Sequence, residues 1–210
     1  MRPLIPRTFA LLITLGGGAI AHPVLQNSMW MLAAPGQVRL AVNVSLQEII
    51  LAQTMPAAEA GYDASQIHAA AEKHGGYVVQ HLHLSIAGRE VPGKVSAITP
   101  PLIFSSPEKT LFQFEVEYPL PDPAPAAIVL RHEMLNEFPY APGQAWDVSY
   151  LVRVKHDGSD EVTSWLLRSG EPGEIPTGLP PAPARVAEPM KTGAWSMFVE
   201  YLRRLFRRGS

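Results

Sequence analysis

Val38-Arg39-Leu40-Ala41-Val42-Asn43-Val44-Ser45-Leu46 decides the fold. Val38, Leu40, Val42, Val44 and Leu46 take every second position, and Arg39, Ala41, Asn43 and Ser45 fill the places between. Alternate side chains of an extended chain point to opposite faces, so this spacing predicts a strand with one face on a core and the other toward water. The same period runs through Phe112, Phe114, Val116 and Tyr118, set against Gln113, Glu115 and Glu117. It returns where Val148, Tyr150, Val152 and Val154 alternate with Ser149, Arg153 and Lys155.

Less regular strands are expected over residues 24–32, 77–86, 91–98, 127–135 and 161–168, with Ala87-Gly88-Arg89 as the turn of a hairpin. Many short strands with few helices define an all-β class, an antiparallel β-sandwich of immunoglobulin-like type, with a β-barrel as the nearest competitor. Met29, Trp30 and Met31 place apolar groups on both faces of the first strand, which suits either burial between sheets or an exposed adhesive patch. Trp146 and Trp165 are expected to anchor the core or its rim.

A helical insertion in two pieces breaks the strand pattern. Ser45-Leu46-Gln47-Glu48 has capping-box spacing ahead of Ile49, Ile50 and Leu51, and Asp63 with Gln66 repeats that signal before a helix expected to end at Gly75 and Gly76. Both pieces precede the third strand and should cap one edge of the sandwich.

The two ends differ from the body. Arg2 and Arg7, an apolar run from Thr8 to Leu15 and Ala19-Ile20-Ala21 have the layout of a secretory signal over residues 1–21, with cleavage after Ala21 and a mature start at His22. The expected location is therefore exported, periplasmic or on the outer face of a membrane. Residues 22–171 form the sandwich, and the prolines of residues 172–191 favour an extended linker. Residues 192–210 place Trp195, Phe198, Val199, Leu202, Leu205 and Phe206 on one helical face and Arg203, Arg204, Arg207 and Arg208 largely on the other, a basic amphipathic helix suited to a membrane surface. Its apolar stretch is shorter than the about 20 residues needed to span a bilayer.

Charge follows the same division. The formal net charge of −2 combines 9 basic against 17 acidic residues over His22–Pro180 with 6 basic against 2 acidic ones from Pro181 onward. An acidic body repels phosphates, which argues against nucleic acid as a partner. With no cysteine, disulfides, thiolate metal sites and cysteine nucleophiles are excluded.

Histidine is the candidate metal ligand. A mature N-terminal His22 would offer its α-amine and its ring together, and with a second imidazole this makes a nitrogen-rich, tetragonal brace suited to Cu(II) or Ni(II). Pro23 has no amide proton to lose, so a planar site built on successive backbone amides is closed. His81 and His83, at i and i+2 of the expected strand, emerge on one face and are the candidate partners, although a solvated strand face is the favoured explanation of the spacing. His68 and Glu72 are read as a surface pair, His74 as a cation at a helix terminus, His132 as a partly buried, hydrogen-bonded core residue on the face of Ile128, Leu130 and Met134, and His156 as a turn residue. Asn43-Val44-Ser45 matches a glycosylation acceptor but is better read as strand and helix cap.

His22-Pro23, Ser28, the strand running into Ser45-Leu46-Gln47-Glu48-Ile49, and Gly193-Ala194-Trp195-Ser196-Met197-Phe198 together resemble the extracytoplasmic region of HupE/UreJ-type membrane proteins. The resemblance implies a β-sandwich ahead of a multi-helix membrane domain linked to metal transport, chiefly of nickel. The chain departs from that pattern at Arg203-Arg204-Leu205-Phe206-Arg207-Arg208, where a histidine-containing first membrane helix would follow. Transport is therefore not carried over, and an ectodomain alone is expected.

Enzyme motifs fail. His132-Glu133-Met134-Leu135-Asn136 begins like a zinc-protease helix but has Asn136 where the second histidine is required. Neither a Gly-x-Ser-x-Gly elbow nor a phosphate-binding glycine loop occurs, and the carboxylates are expected on exposed faces. The remaining catalytic alternative is a copper-dependent oxidative enzyme with an N-terminal histidine brace. The favoured expectation is a non-catalytic interaction domain that meets a protein partner and binds a transition metal through His22.

Overall fold

A computed structural model describes residues 25–56, 61–155 and 162–179. The signal, His22, His156, most of the linker and the basic tail lie outside the described residues. Strands β1 (Leu25–Ala34) and β2 (Gln37–Ser45) lead into helices α1 (Leu46–Ala52) and α2 (Ala64–His81). There follow β3 (Leu82–Ile86), β4 (Arg89–Val91), β5 (Lys94–Thr99), β6 (Leu111–Pro119) and β7 (Ala127–His132). The short β8 (Pro139–Ala141) and β9 (Gln144–Ala145) precede β10 (Val148–Lys155), β11 (Val162–Arg168) and β12 (Gly173–Pro176).

The strands make a six-stranded sheet in the order β11-β10-β1-β2-β6-β5, a four-stranded sheet in the order β12-β7-β3-β4, and the small β8-β9 pair. The fold is β-rich, as the alternation predicts. Val38, Leu40, Val42 and Val44 of β2, Phe112, Phe114, Val116 and Tyr118 of β6, and Val148, Tyr150, Val152 and Val154 of β10 are all buried. They share one core with Leu82 and Leu84 of β3, Ile128 and Leu130 of β7, and Ile67, Ala70, Ala71 and Val78 of α2. Burial of such side chains, about 1.5–3 kcal/mol each relative to exposure, is the main force holding the sheets and α2 together.

Two hairpins turn on residues of positive φ, the second of them at the expected Ala87-Gly88-Arg89. Pro35-Gly36 links β1 to β2 with Gly36 at φ 84°. Ala87 and Gly88 join β3 to β4 with both φ angles positive, 49° and 76°, the handedness that matches the twist of paired strands.

Elsewhere the structure corrects the reading. Pairing is antiparallel except for β1 with β10, which run parallel from Leu25↔Val148 to Leu32↔Lys155. The helix expected to stop at Gly75 and Gly76 continues to His81, so the expected strand 77–86 begins only at Leu82. Ile67, Ala70, Ala71, His74, Tyr77 and Val78 form one buried helical stripe, and that burial outweighs the helix-weakening glycines. The expected strand 91–98 is divided at Pro92-Gly93: β4 belongs to the smaller sheet and β5 to the larger. Proline cannot donate to a ladder, which suits a crossing between sheets. β7 ends at His132 rather than at residue 135, because the following turn holds Leu135 at φ 58°. The linker boundary moves too, since Gly173–Pro176 pairs with β7 and buries Ile175.

Candidate functional site

A group of polar side chains lies within the core rather than on the surface. Its centre is Glu48 of α1, fully shielded from solvent. Ser45 caps this helix by accepting the Glu48 N–H at 3.2 Å, but the Glu48 side chain does not turn back to close a capping box. It points inward, where its carboxylate accepts from the Asn27 amide and from the Tyr150 hydroxyl at 3.0 and 3.1 Å. Asn27 in turn accepts the Ser45 N–H at 3.2 Å. His74, also fully buried, brings Nε2 to 3.6 Å from the carboxylate, within ion-pairing but beyond hydrogen-bonding reach.

Aromatic rings enclose this centre. His74 stacks on Tyr77 at 5.0 Å and meets Phe114 at 5.5 Å. Tyr77 stacks in turn on His81 at 4.0 Å. The Tyr77 hydroxyl accepts the N–H of Leu135 at 2.8 Å and so helps to hold a residue whose left-handed backbone is costly for a branched side chain. Burial raises the Tyr77 hydroxyl above its ordinary pKa. Burial, followed by the nearby Glu48 carboxylate, does the same for Tyr150, so both remain protonated. Six elements, β1, β2, α1, α2, β6 and β10, contribute to this cluster.

His132 stands edge-on to Tyr150 at 4.9 Å, and its Nε2 donates to the Leu167 carbonyl at 3.2 Å. Its Nδ1 is buried without a hydrogen-bond partner. Burial pushes this imidazole below its ordinary 6.5, while the Leu167 carbonyl and the Glu48 and Glu133 carboxylates act in the opposite direction. The neutral ring therefore stabilises the fold above the unfolded-state value, and that stability is lost as pH falls through the folded value. A His132→Phe variant should show a stability deficit against the parent that narrows as pH is lowered from about 7 to about 5, measured by urea unfolding across that range. A deficit independent of pH would show that His132 does not titrate in this way.

The histidines singled out from spacing behave differently. His81 and His83 do not share a strand, because His81 is the last residue of α2 and His83 is the second of β3. His81 sets Nδ1 2.9 Å from the Tyr77 carbonyl, and its Nε2 is 3.5 Å from Glu137. His83 lies 3.2 Å from Glu90 through Nδ1 and 3.8 Å from Glu133 through Nε2. The Nδ1–H of His81 given to a carbonyl is the arrangement that orients a ring for metal binding through the other nitrogen. Yet no group of three or more His, Asp or Glu side chains able to hold a metal occurs among the described residues. His68 and Glu72 form the expected exposed pair at 3.4 Å, and His132 is buried and hydrogen-bonded as expected. His74 is the correction: it lies seven residues before the helix end and faces a carboxylate, not the terminal carbonyls.

The open clefts lie elsewhere. One of about 300 Å³ is lined by Gln53, Met55, Tyr62, Gln66 and Lys73 between the two helices. Another of about 300 Å³ lies beside His83, Glu90 and Pro92. Neither receives Glu48, His74 or Tyr150. Among the described residues no helix is long and apolar enough to cross a membrane. No family model, no curated protein and no solved structure matches this chain.

Proposed function

We propose that this chain is a non-catalytic, exported interaction domain of β-sandwich type, similar to the ectodomain of HupE/UreJ-type membrane proteins, which docks on a membrane-embedded protein partner. The observation that carries this reading is the outward face of the six-stranded sheet. Trp30 and Leu32 of β1 are each 41% exposed and Leu166 of β11 is 60% exposed. Register sets them on one face in successive rows: Ser28 lies beside Leu151 and Leu151 beside Leu166, Trp30 lies beside Arg153, and Leu32 lies beside Lys155, which adjoins Val162. Arg153, 5.5 Å over the Trp30 ring, supplies a cation at the centre of the patch. An exposed sheet face that carries large apolar side chains interleaved with cations suits a protein contact. The titratable cluster supports the non-catalytic side of the reading, because a substrate has no route to side chains with zero exposure.

Photo-crosslinking in the native membrane tests this. A photoreactive residue at Leu32 or Leu166 should give one discrete heavier species containing an integral membrane protein, while the same group at Gln80 should give none. Trp30→Glu should abolish the adduct. Equal labelling at all three positions would overturn the reading.

Within it, a transition metal is the specific ligand, held by His22 with His81 or His83 as partner. Nε2 of His83, buried without a hydrogen-bond partner, supports the donor chemistry. Titration of the processed protein with Cu(II) and Ni(II) should show one equivalent bound, lost in His22→Ala. Binding that survives this substitution would remove His22 from the site.

A further inference from the structure

The loop between β5 and β6 ends in an apolar tip. From Thr99 to Pro107 it carries no charged side chain. Leu102 is 101% exposed, Ile103 80% and Phe104 52%. Large apolar groups scattered singly on a surface are ordinary; three in succession at a loop tip, one exposed beyond its reference value, are not.

The base of this loop is firmly held. Ser105 N–H donates to Thr110 Oγ1 at 2.9 Å, and the N–H groups of Lys109 and Thr110 donate to the Ser106 carbonyl at 2.9 and 3.0 Å. The Pro107 and Thr110 carbonyls accept the N–H groups of Gln47 and Leu46 at 3.0 and 2.8 Å, tying the loop to the first turn of α1. Phe104 lies edge-on to the buried Phe112 at 6.4 Å. The tip is thus presented from a braced pedestal, which lowers the entropy cost of ordering it on contact.

The backbone bends at Leu102 and Ile103, and these two side chains have almost no protein around them, so the tip projects and forms no groove. The hydrocarbon edge of a bilayer can receive a projecting apolar tip without a matching pocket, which a protein surface would have to supply. We propose that Leu102-Ile103-Phe104 inserts into the interfacial region of a lipid bilayer. Because the tip is uncharged, it recognises acyl chains and not headgroup charge. This inference rests on the membrane-side location proposed above but not on the basic tail, whose arginines should require anionic lipid.

The chain has no cysteine, so a single Ile103→Cys substitution can be labelled cleanly with a polarity-sensitive fluorophore. The probes are vesicles of phosphatidylcholine alone and of phosphatidylcholine with phosphatidylglycerol, and the control is the same dye at Gln80→Cys on α2. The dye at position 103 should shift to the blue and brighten several-fold with both vesicle types and at high salt, while position 80 stays unchanged. Replacing Leu102, Ile103 and Phe104 together by serine should lower partition into neutral vesicles by about tenfold or more. Leu102 and Ile103 are exposed, so urea unfolding of a variant with serine at these two positions alone should match the parent, and the triple variant should lose only the packing of Phe104 on Phe112. No lipid-dependent change at position 103 overturns the proposal, including the case in which the protein binds anionic vesicles through another segment. A change that follows protein concentration without lipid assigns the tip to a second copy of the chain, and also overturns it. Failure of the cross-linking test would leave the dye result intact, so the two readings fail separately.

Discussion

Glu48→Leu should destabilise the protein by about 3–5 kcal/mol, the range for breaking a buried charged or strongly hydrogen-bonded network from one side. Leucine fits the volume but accepts nothing. Tyr150 and Asn27 would then keep donors in the core with no acceptor, and His74 would lose the carboxylate 3.6 Å away. An unmet buried polar group costs about 1–3 kcal/mol, so the loss should exceed that expected of one hydrogen bond. Tyr150→Phe in the Glu48→Leu background should therefore recover about 1–2 kcal/mol, whereas Tyr150→Phe alone should destabilise. The midpoint of urea unfolding for the four proteins of this cycle measures both effects. A Glu48→Leu protein within about 1 kcal/mol of the parent, or additive effects in the cycle, would mean that the cluster does not act as a unit.

Gly93→Ala should cost about 1–3 kcal/mol, a large penalty for one methyl group. A Cβ at position 93 would lie 2.7 Å from two ring carbons of Tyr118 and 3.0 Å from its hydroxyl oxygen. That ring has nowhere to go, because it is buried and its hydroxyl donates to the Leu82 carbonyl at 3.0 Å. Relief requires moving the strand crossing from β4 to β5 or abandoning the Tyr118 hydrogen bond. Gly75→Ala serves as the control: its nearest neighbours, Ile98 and Val95, would sit at 3.5–3.7 Å, ordinary contact distances. It should be neutral or mildly stabilising, since alanine is the better helix former. Equal thermal midpoints for the position 93 variant and the parent would show that the ring yields.

How much of the candidate site could be read beforehand depends on whether its members declared themselves through period. Tyr150 did, as one of the inward residues of an alternating strand. His132 did so for the same reason. His74 carried a usable signal, because it falls four residues from Ala70 and from Val78 on the apolar stripe of α2. That signal was masked by the expected stop at Gly75 and Gly76, which made His74 look terminal. Glu48 was hidden by its second plausible role, since glutamate at the third helical position usually reaches back to the cap. Asn27 stands between Gln26 and Ser28, ahead of the apolar run Met29-Trp30-Met31, and offered no local sign of burial.

Local sequence determined the three alternating strands and their inward faces, the two N-caps and the Ala87-Gly88 turn, because alternation, cap spacing and turn conformation are set by neighbours a few residues apart. It also determined the absence of thiol chemistry and the acidic charge of the body. Only the tertiary structure decided that β1 runs parallel to β10, that α2 continues through two glycines to His81, and that Glu48, His74, Asn27 and Tyr150 meet in one place. Those outcomes depend on contacts such as the one between Glu48 and Tyr150, 102 residues apart. There the free energy of burying apolar surface and satisfying polar groups outweighs local preference, and no window of sequence contains both partners.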